Sequence, residues 1–218
     1  MALAIFDLDN TLIAGDSDHS WGEFLIDQKK VNQSEYRAMN DKFFADYEAE
    51  KLDISAYLEF SLSPLINMAT TELNQLHNKF MAQVIEPMKL SQANELIERH
   101  RQSGDRLLVI TATNRLVVEP IISSFGIDEF LATDPEIISG RVTGKVIGTP
   151  TFREGKVERL KDWLTENNES LEGSYFYSDS INDLPLLQEV DHPIAVDPDD
   201  ALHKESERRG WPIISLRN

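Results

Sequence analysis

The chain has 218 residues, 41% of them hydrophobic, with 21 basic and 38 acidic side chains and a net charge of −17. That is enough for one large domain or a domain carrying an insert, and too apolar for a disordered chain. The charge excludes nucleic acid and anionic membrane as general partners, and an anionic substrate would need a local cation to dock.

Residues 3–6, LAIF, form an apolar run of strand length that leads straight into Asp7 and Asp9. From Ser17 to about Glu86 the apolar spacing is helical. The positions are Trp21, Phe24 and Leu25; Tyr36, Met39, Phe43, Phe44 and Tyr47; Ile54, Tyr57, Leu58, Leu62 and Leu65; and Leu73, Leu76, Phe80, Met81 and Val84. Recurrence at i, i+3, i+4 and i+7 predicts four amphipathic helices, a small bundle inserted early in the chain. Asn32, Asp53 and Thr70 are candidate caps.

After Pro87 strands and helices alternate. A helix near 91–102, with Ser91 as candidate N-cap and Gly104 past its end, precedes the strand RLLVITATN. Pro120 predicts a kink or a second start in a helical segment over 114–124. IISGRVTGKVI alternates about Ser139-Gly140, as a β-hairpin does. A helix over 155–167, the strand SYFYS, the strand PIAV, a helix near 201–209 and PIIS complete the pattern. Alternating strands and helices predict an α/β fold with a Rossmann-like, doubly wound parallel sheet. There is no cysteine, which removes disulfides, thiolate zinc sites and cysteine nucleophiles. Without a signal-like or membrane-length apolar run, a cytoplasmic protein is expected.

Three strands end in polar clusters: Asp7-Leu8-Asp9, Thr111-Ala112-Thr113-Asn114, and Asp179-Ser180-Ile181-Asn182-Asp183. Ligands of an open parallel sheet bind outside the carboxyl ends of its strands, so the three clusters should meet at one edge. Two carboxylates about 4 Å apart repel by roughly 4 kcal/mol at an effective dielectric near 20. Crowding Asp7, Asp9, Asp179 and Asp183 therefore calls for retained protons or a shared cation, and an all-oxygen site suits Mg²⁺. With hydroxyls at Thr11 and Thr111 and the amides around Ala112, this outlines a phosphoryl-transfer site. A lysine is still needed, and spacing alone does not select Lys156, at a predicted helix start, over Lys145.

These residues resemble the haloacid dehalogenase superfamily of phosphatases. DLDNT (7–11) matches its first motif, Thr111 its second, Lys156 its third and DSIND (179–183) its fourth, in the family's order. The helical insert resembles the cap of the phosphoserine phosphatase-like subgroup, and members similar to this chain are assigned as histidinol-phosphatases. The resemblance implies a discontinuous core of 1–15 and 88–218 with a specificity cap of 16–87. It implies Asp7 as nucleophile through an aspartyl-phosphate and Asp9 as general acid and base. Mg²⁺ would be held by Asp7, the Asp9 carbonyl and Asp179, with Asp183 in or near its shell. Thr111, Lys156 and Asn182 would hold phosphate.

By its offset from the first motif, Asp16 sits where the subgroup carries a glutamate near the substrate amine. The subgroup also uses a cap arginine for a substrate carboxylate, but Arg37 is the one arginine between residues 15 and 88. The expected substrate is therefore a small, amine-bearing phosphate ester. Histidinol phosphate is favoured, with phosphoethanolamine and phosphoserine as alternatives. A phosphotransferase built on the same intermediate, or a phospho-acceptor or binding module without turnover, would share these motifs.

Overall fold

The computed structural model describes residues 2–66 and 68–217. Its centre is a seven-stranded sheet in the order β4-β3-β2-β1-β5-β6-β7, parallel except for β4. The strands are β1 (Leu3–Phe6), β2 (Arg106–Asn114), β3 (Phe130–Ile138), β4 (Arg141–Ile147), β5 (Tyr175–Ser178), β6 (His192–Val196) and β7 (Ile213–Ile214). Side chains alternate across the sheet, so each strand feeds two cores. Ala4, Phe6, Val109 and Tyr177 face one cluster, and Leu3, Ile5, Leu108, Ile110 and Phe176 face the other. Strand β1, buried on both faces, lies between β2 and β5. This is where the strand order changes direction, the place such sheets use for ligands.

The insert consists of α1 (Ser17–Asp27), α2 (Gln33–Glu48), α3 (Ile54–Leu62) and α4 (Thr70–Phe80). Helix α4 runs on through a π-helical turn, Met81–Ile85, into the short α5 (Glu86–Met88). Trp21, Phe24 and Phe80 pack ring against ring, with centroids 5.0–5.5 Å apart. Helices α1 and α2 meet closely because residue 22 is glycine: a Cβ there would lie 2.6 Å from Asn40 Oδ1. Asn40 Nδ2 in turn donates to the His19 carbonyl at 2.9 Å. The two segments joining insert to sheet are tied together, with Ala14 N donating to the Met88 carbonyl at 2.8 Å and Ile13 bridging Lys89.

The remaining helices are α6 (Ser91–Gln102), α7 (Arg115–Ser123), α8 (Glu154–Asn167), α9 (Leu184–Leu187) and α10 (Asp200–Arg209). Asn32 and Asp53 cap as expected, accepting from Ser34 N and from Ser55 N and Ala56 N. Thr70 and Ser91 do not. Each is the first helical residue, and the extended backbone of the N-cap belongs to Ala69 and Leu90. Pro120 does not break α7. It lacks the N–H that would reach the Leu116 carbonyl, and the helix nevertheless continues to Ser123. The expected hairpin turns at Ser139 and Gly140, both at positive φ. No helix among the described residues is long and apolar enough to cross a membrane.

Candidate active site

The polar clusters after β1 and β5 and along the end of β2 meet under the insert, as the strand pattern predicts. They line a cavity of about 60 Å³ together with residues of α1, α2 and α3. A space of that size holds only a handful of waters. Asp7 N extends the β1–β5 ladder by donating to the Tyr177 carbonyl at 2.9 Å, so its carboxylate is set rigidly at the sheet edge. The Leu8 carbonyl then accepts from Leu12 N at 2.9 Å in a single helical turn, which returns Asp9 to the same cavity.

Lys156 enters from the first turn of α8, buried at 3% exposure. Its Nζ donates to Asp7 Oδ1 at 2.8 Å and to the Asp183 carboxylate at 2.7 Å. Burial alone would lower its pKa, but the Asp183 and Asp7 charges overcome that and raise it. Lys145, the other candidate, lies on the exposed strand β4. Gly155 makes the position of Lys156 possible: a Cβ there would lie 2.0 Å from the Pro150 carbonyl oxygen. Arg153, just before it, adopts φ 50° and ψ −120°, a strained backbone for a non-glycine residue.

Asp9 is held by two donors, Ser17 N to Oδ1 at 2.7 Å and Thr113 Oγ1 to Oδ2 at 2.9 Å. Burial, reinforced by the charge of Asp16, nevertheless pushes it up to about 7. Burial also carries Asp7 to about 7, opposed by Lys156 and reinforced by Asp183. Asp179 rises well above the carboxylate range through burial and the charges of Asp7 and Asp183.

Thr111, Ala112, Asn182 and Asp16 all line the cavity. Asn182 Oδ1 accepts from Arg153 Nε at 2.9 Å. Asp16 also serves as the N-cap of α1, accepting from His19 N at 2.7 Å. One expected position changes. Thr11 is fully buried, and its hydroxyl goes to Asp179 Oδ1 at 3.3 Å, so it orients that carboxylate and does not face the cavity. Asp183 lines the cavity, and its Oδ2 accepts from Lys156 and from Ser178 Oγ, each at 2.7 Å.

Two buried carboxylates, Asp7 and Asp183, and the half-buried Asp179 surround one ammonium, and the surplus charge suits a hard divalent cation such as Mg²⁺. The carboxylates of Asp7, Asp179 and Asp183 are the side chains of the cavity that could hold it. Among the described residues, only His19, Glu23 and Asp41 bring three carboxylate or imidazole ligand atoms within 4.8 Å of one another. Glu23 there is already paired with Arg37, 2.7 Å away.

Asp18, Asn40, Phe44, Tyr47, Tyr57 and Phe152 also line the cavity. Phe44, Tyr47 and Tyr57 read as bundle core in the sequence, and Phe152 lies outside the bundle, ahead of the helix that carries Lys156. The adjacent pair Phe43-Phe44 was the available signal, because it makes the apolar stripe of α2 too wide for a single contact face.

The fold and this acid–lysine centre define the class. Residues 4–188 match the haloacid dehalogenase-like hydrolases, and the chain belongs to that family. It is 46% identical over 219 residues to the histidinol-phosphatase of Neisseria meningitidis serogroup C (strain 8013), covering 99% of both chains. A phosphoserine phosphatase of Mycobacterium tuberculosis is 28% identical, aligned over 99% of this chain and 71% of its own. A crystal structure of a protein of unknown function from Bordetella pertussis Tohama I superposes with a TM-score of 0.93 at 42% identity, covering 99% of this chain and 98% of that one. Substrate-bound phosphoserine phosphatase shares the fold, with a TM-score of 0.72 at 18% identity over 99% and 93% of the two chains. The chain is a phosphatase of the haloacid dehalogenase type.

Proposed function

We propose that the protein is a Mg²⁺-dependent phosphomonoester hydrolase working through an aspartyl-phosphate on Asp7, with histidinol phosphate the favoured substrate. The observation that carries this is the division of labour between two carboxylates two residues apart. Asp7 is fixed by Lys156 and points into the cavity, while Asp9 is fixed by Ser17 N and Thr113 and sits near neutrality. A carboxyl with a pKa of about 7 is suited to give a proton to a leaving alkoxide and then take one from water. Mg²⁺ held at Asp7, Asp179 and the Asp9 carbonyl would neutralise the phosphoryl oxygens.

On this reading Asp7 Oδ attacks phosphorus, the P–O bond to the alcohol breaks, and Asp9 protonates the departing oxygen. Asp9 then removes a proton from the water that attacks the aspartyl-phosphate, releasing phosphate and free Asp7. Lys156, Thr111 and Asn182 hold the phosphoryl oxygens, and Lys156 returns to the Asp183 and Asp7 carboxylates when the site empties.

Residues 16–87 act as a cap on the core of 1–15 and 88–218. The small cavity implies that the cap moves for the ester to enter, with the tied segments at Ala14 and Met88 as the hinge. The substrate class rests on charge. Arg37 is partly exposed and paired with Glu23, which leaves no cap arginine for a substrate carboxylate, and the presence of Asp16 in the cavity lining supports its reading as the partner of an amine. The same charge pattern, with the 46% identity to a histidinol-phosphatase, favours histidinol phosphate over phosphoserine.

Phosphate release from histidinol phosphate, phosphoethanolamine, phosphoserine and a sugar phosphate tests this, with Mg²⁺ or chelator and alongside Asp7→Asn. Metal-dependent turnover abolished by Asp7→Asn is expected. Release of phosphate only when an alcohol acceptor is absent, with transfer when it is present, would make the protein a phosphotransferase. A lasting phosphoaspartate without turnover would make it a phospho-acceptor.

A further inference from the structure

Six aspartates line the cavity: Asp7, Asp9, Asp16, Asp18, Asp179 and Asp183. The proposed chemistry uses four of them, and Asp16 is assigned to a substrate amine. Asp18 is left over. It lies one residue past the start of α1 and is 7% exposed, a buried carboxylate that no step requires. The Tyr57 hydroxyl from α3 is the polar side chain beside it, holding down a carboxyl that burial otherwise raises. A carboxylate accepts about four hydrogen bonds, so most of its capacity is unfilled. Lys156 is the one lysine or arginine among the described residues that lines the cavity, and its ammonium is committed to Asp7 and Asp183. His19, the neighbouring base, meets Asp41 at 3.1 Å.

An isolated buried carboxylate is costly unless a partner arrives. The cavity wall it belongs to includes the aromatic rings of Phe43, Phe44 and Tyr57. Such a wall accommodates a flat ring, and the ring faces attract positive charge. A phosphate ester with a neutral or anionic alcohol would leave Asp16 and Asp18 both uncompensated in the closed site. One ammonium would satisfy one of them.

We propose that Asp18, with Tyr57, is a second recognition group for the leaving alcohol, and that this alcohol carries two basic nitrogens: an ammonium at Asp16 and a ring N–H at Asp18. The assignment rests on the phosphatase reading above and deepens it. It makes Asp18 a determinant of specificity, since it would touch the alcohol and not the phosphoryl group.

The test uses four esters that differ only in these two groups: histidinol phosphate, its analogue without the amine, an amino alcohol phosphate without the ring, and a simple alkyl phosphate. Each is assayed with wild type, Asp18→Asn and Tyr57→Phe. Loss of a charge-assisted contact is worth about 10- to 150-fold. Asp18→Asn should lower kcat/KM by that factor for the two ring-bearing esters and leave the two ringless esters within about twofold of wild type. Tyr57→Phe should shift the same two esters in the same direction, and it covers the case in which Asp18→Asn does not fold. Equal loss on all four esters, or no loss on any, overturns the assignment while leaving the phosphatase reading intact. A wild type inert to every ester with Mg²⁺ overturns both.

Discussion

Gly155→Ala is a one-carbon change that should injure both stability and turnover. Residue 155 lies in the first turn of α8, where the loop through Pro150 closes back on the helix. The added Cβ would sit 2.0 Å from the Pro150 carbonyl oxygen and 3.3 Å from Thr149 Cγ2. Real Cβ contacts do not fall below 3.0 Å, so loop and helix must part by about 1 Å. The oxygen belongs to backbone, which cannot rotate out of the way. Overpacking of this kind costs about 1–3 kcal/mol, and at this chain length each kcal/mol lowers Tm by roughly 2–4 °C.

The neighbour of the strained residue is Lys156, whose contacts to Asp7 and Asp183 are 2.8 and 2.7 Å. A displacement near 1 Å breaks that geometry, and misplacement on this scale costs on the order of 100-fold in rate. The check is thermal unfolding together with kcat on the preferred ester, with Gly104→Ala as comparator. Gly104 has φ 78° and open space around its Cβ position, so its substitution carries a conformational cost without a collision. Gly155→Ala should lose both Tm and kcat, whereas Gly104→Ala should lose Tm alone. A Gly155→Ala enzyme with wild-type kcat would refute the claim that glycine is there to seat the lysine.

Asp9→Asn keeps the acceptor oxygen but loses the proton, so kcat should fall by about 10²–10⁴ with folding intact, read by phosphate release and circular dichroism. Asp7, Asp9 and Asp18 are raised to about 7 and Asp16 to about 6, each chiefly by burial. Raised carboxyl pKa values lend stability that is complete below the unfolded value near 4 and is lost as pH rises towards about 7. In chelator, Tm should therefore fall between pH 5 and 8, and Mg²⁺ should restore more at pH 8 than at pH 5; the opposite slope by scanning fluorimetry would contradict the burial argument. Arg153 joins the two parts of the chain, donating to Asn182 Oδ1 at 2.9 Å and to the Glu50 carbonyl at 2.8 Å. Arg153→Ala should raise KM by about 3- to 10-fold through a less well-docked cap, with a smaller change in kcat, in steady-state assays.

The centre of this site was legible because each chemical group follows an apolar strand in the sequence, and a parallel sheet delivers strand ends to one edge. The choice of Lys156 over Lys145 was not legible from spacing. It depends on Gly155 admitting the Pro150 loop and on β4 facing solvent, both products of tertiary packing. The first half of β3 escaped notice for a similar reason. Asp134-Pro135 reads as a turn, yet Asp134 is neutralised by Arg115 at 2.5 Å and Arg159 at 2.7 Å, and the β3–β4 register shifts between Pro135 and Ile137. The cavity wall was hidden by the periodicity itself, which marks Phe44, Tyr47 and Tyr57 as apolar without saying whether a helix or a ligand covers them.

The six aspartates also explain why the acidic character of the chain is compatible with binding an anion. A phosphate dianion meets a preorganised cation in Lys156 and, on the proposed mechanism, a divalent ion beside it. The alcohol end meets Asp9, Asp16 and Asp18, which no lysine or arginine of the chain balances within the cavity. On the proposed mechanism Lys156 and the divalent ion offset Asp7, Asp179 and Asp183 at the phosphoryl end, whereas Asp9, Asp16 and Asp18 stay without a cation at the alcohol end. A cationic alcohol satisfies both ends, and an acidic one satisfies only the first. Replacing Asp16 and Asp18 should broaden the range of esters accepted while sparing the attack at Asp7, whereas removing Lys156 should abolish turnover of all of them.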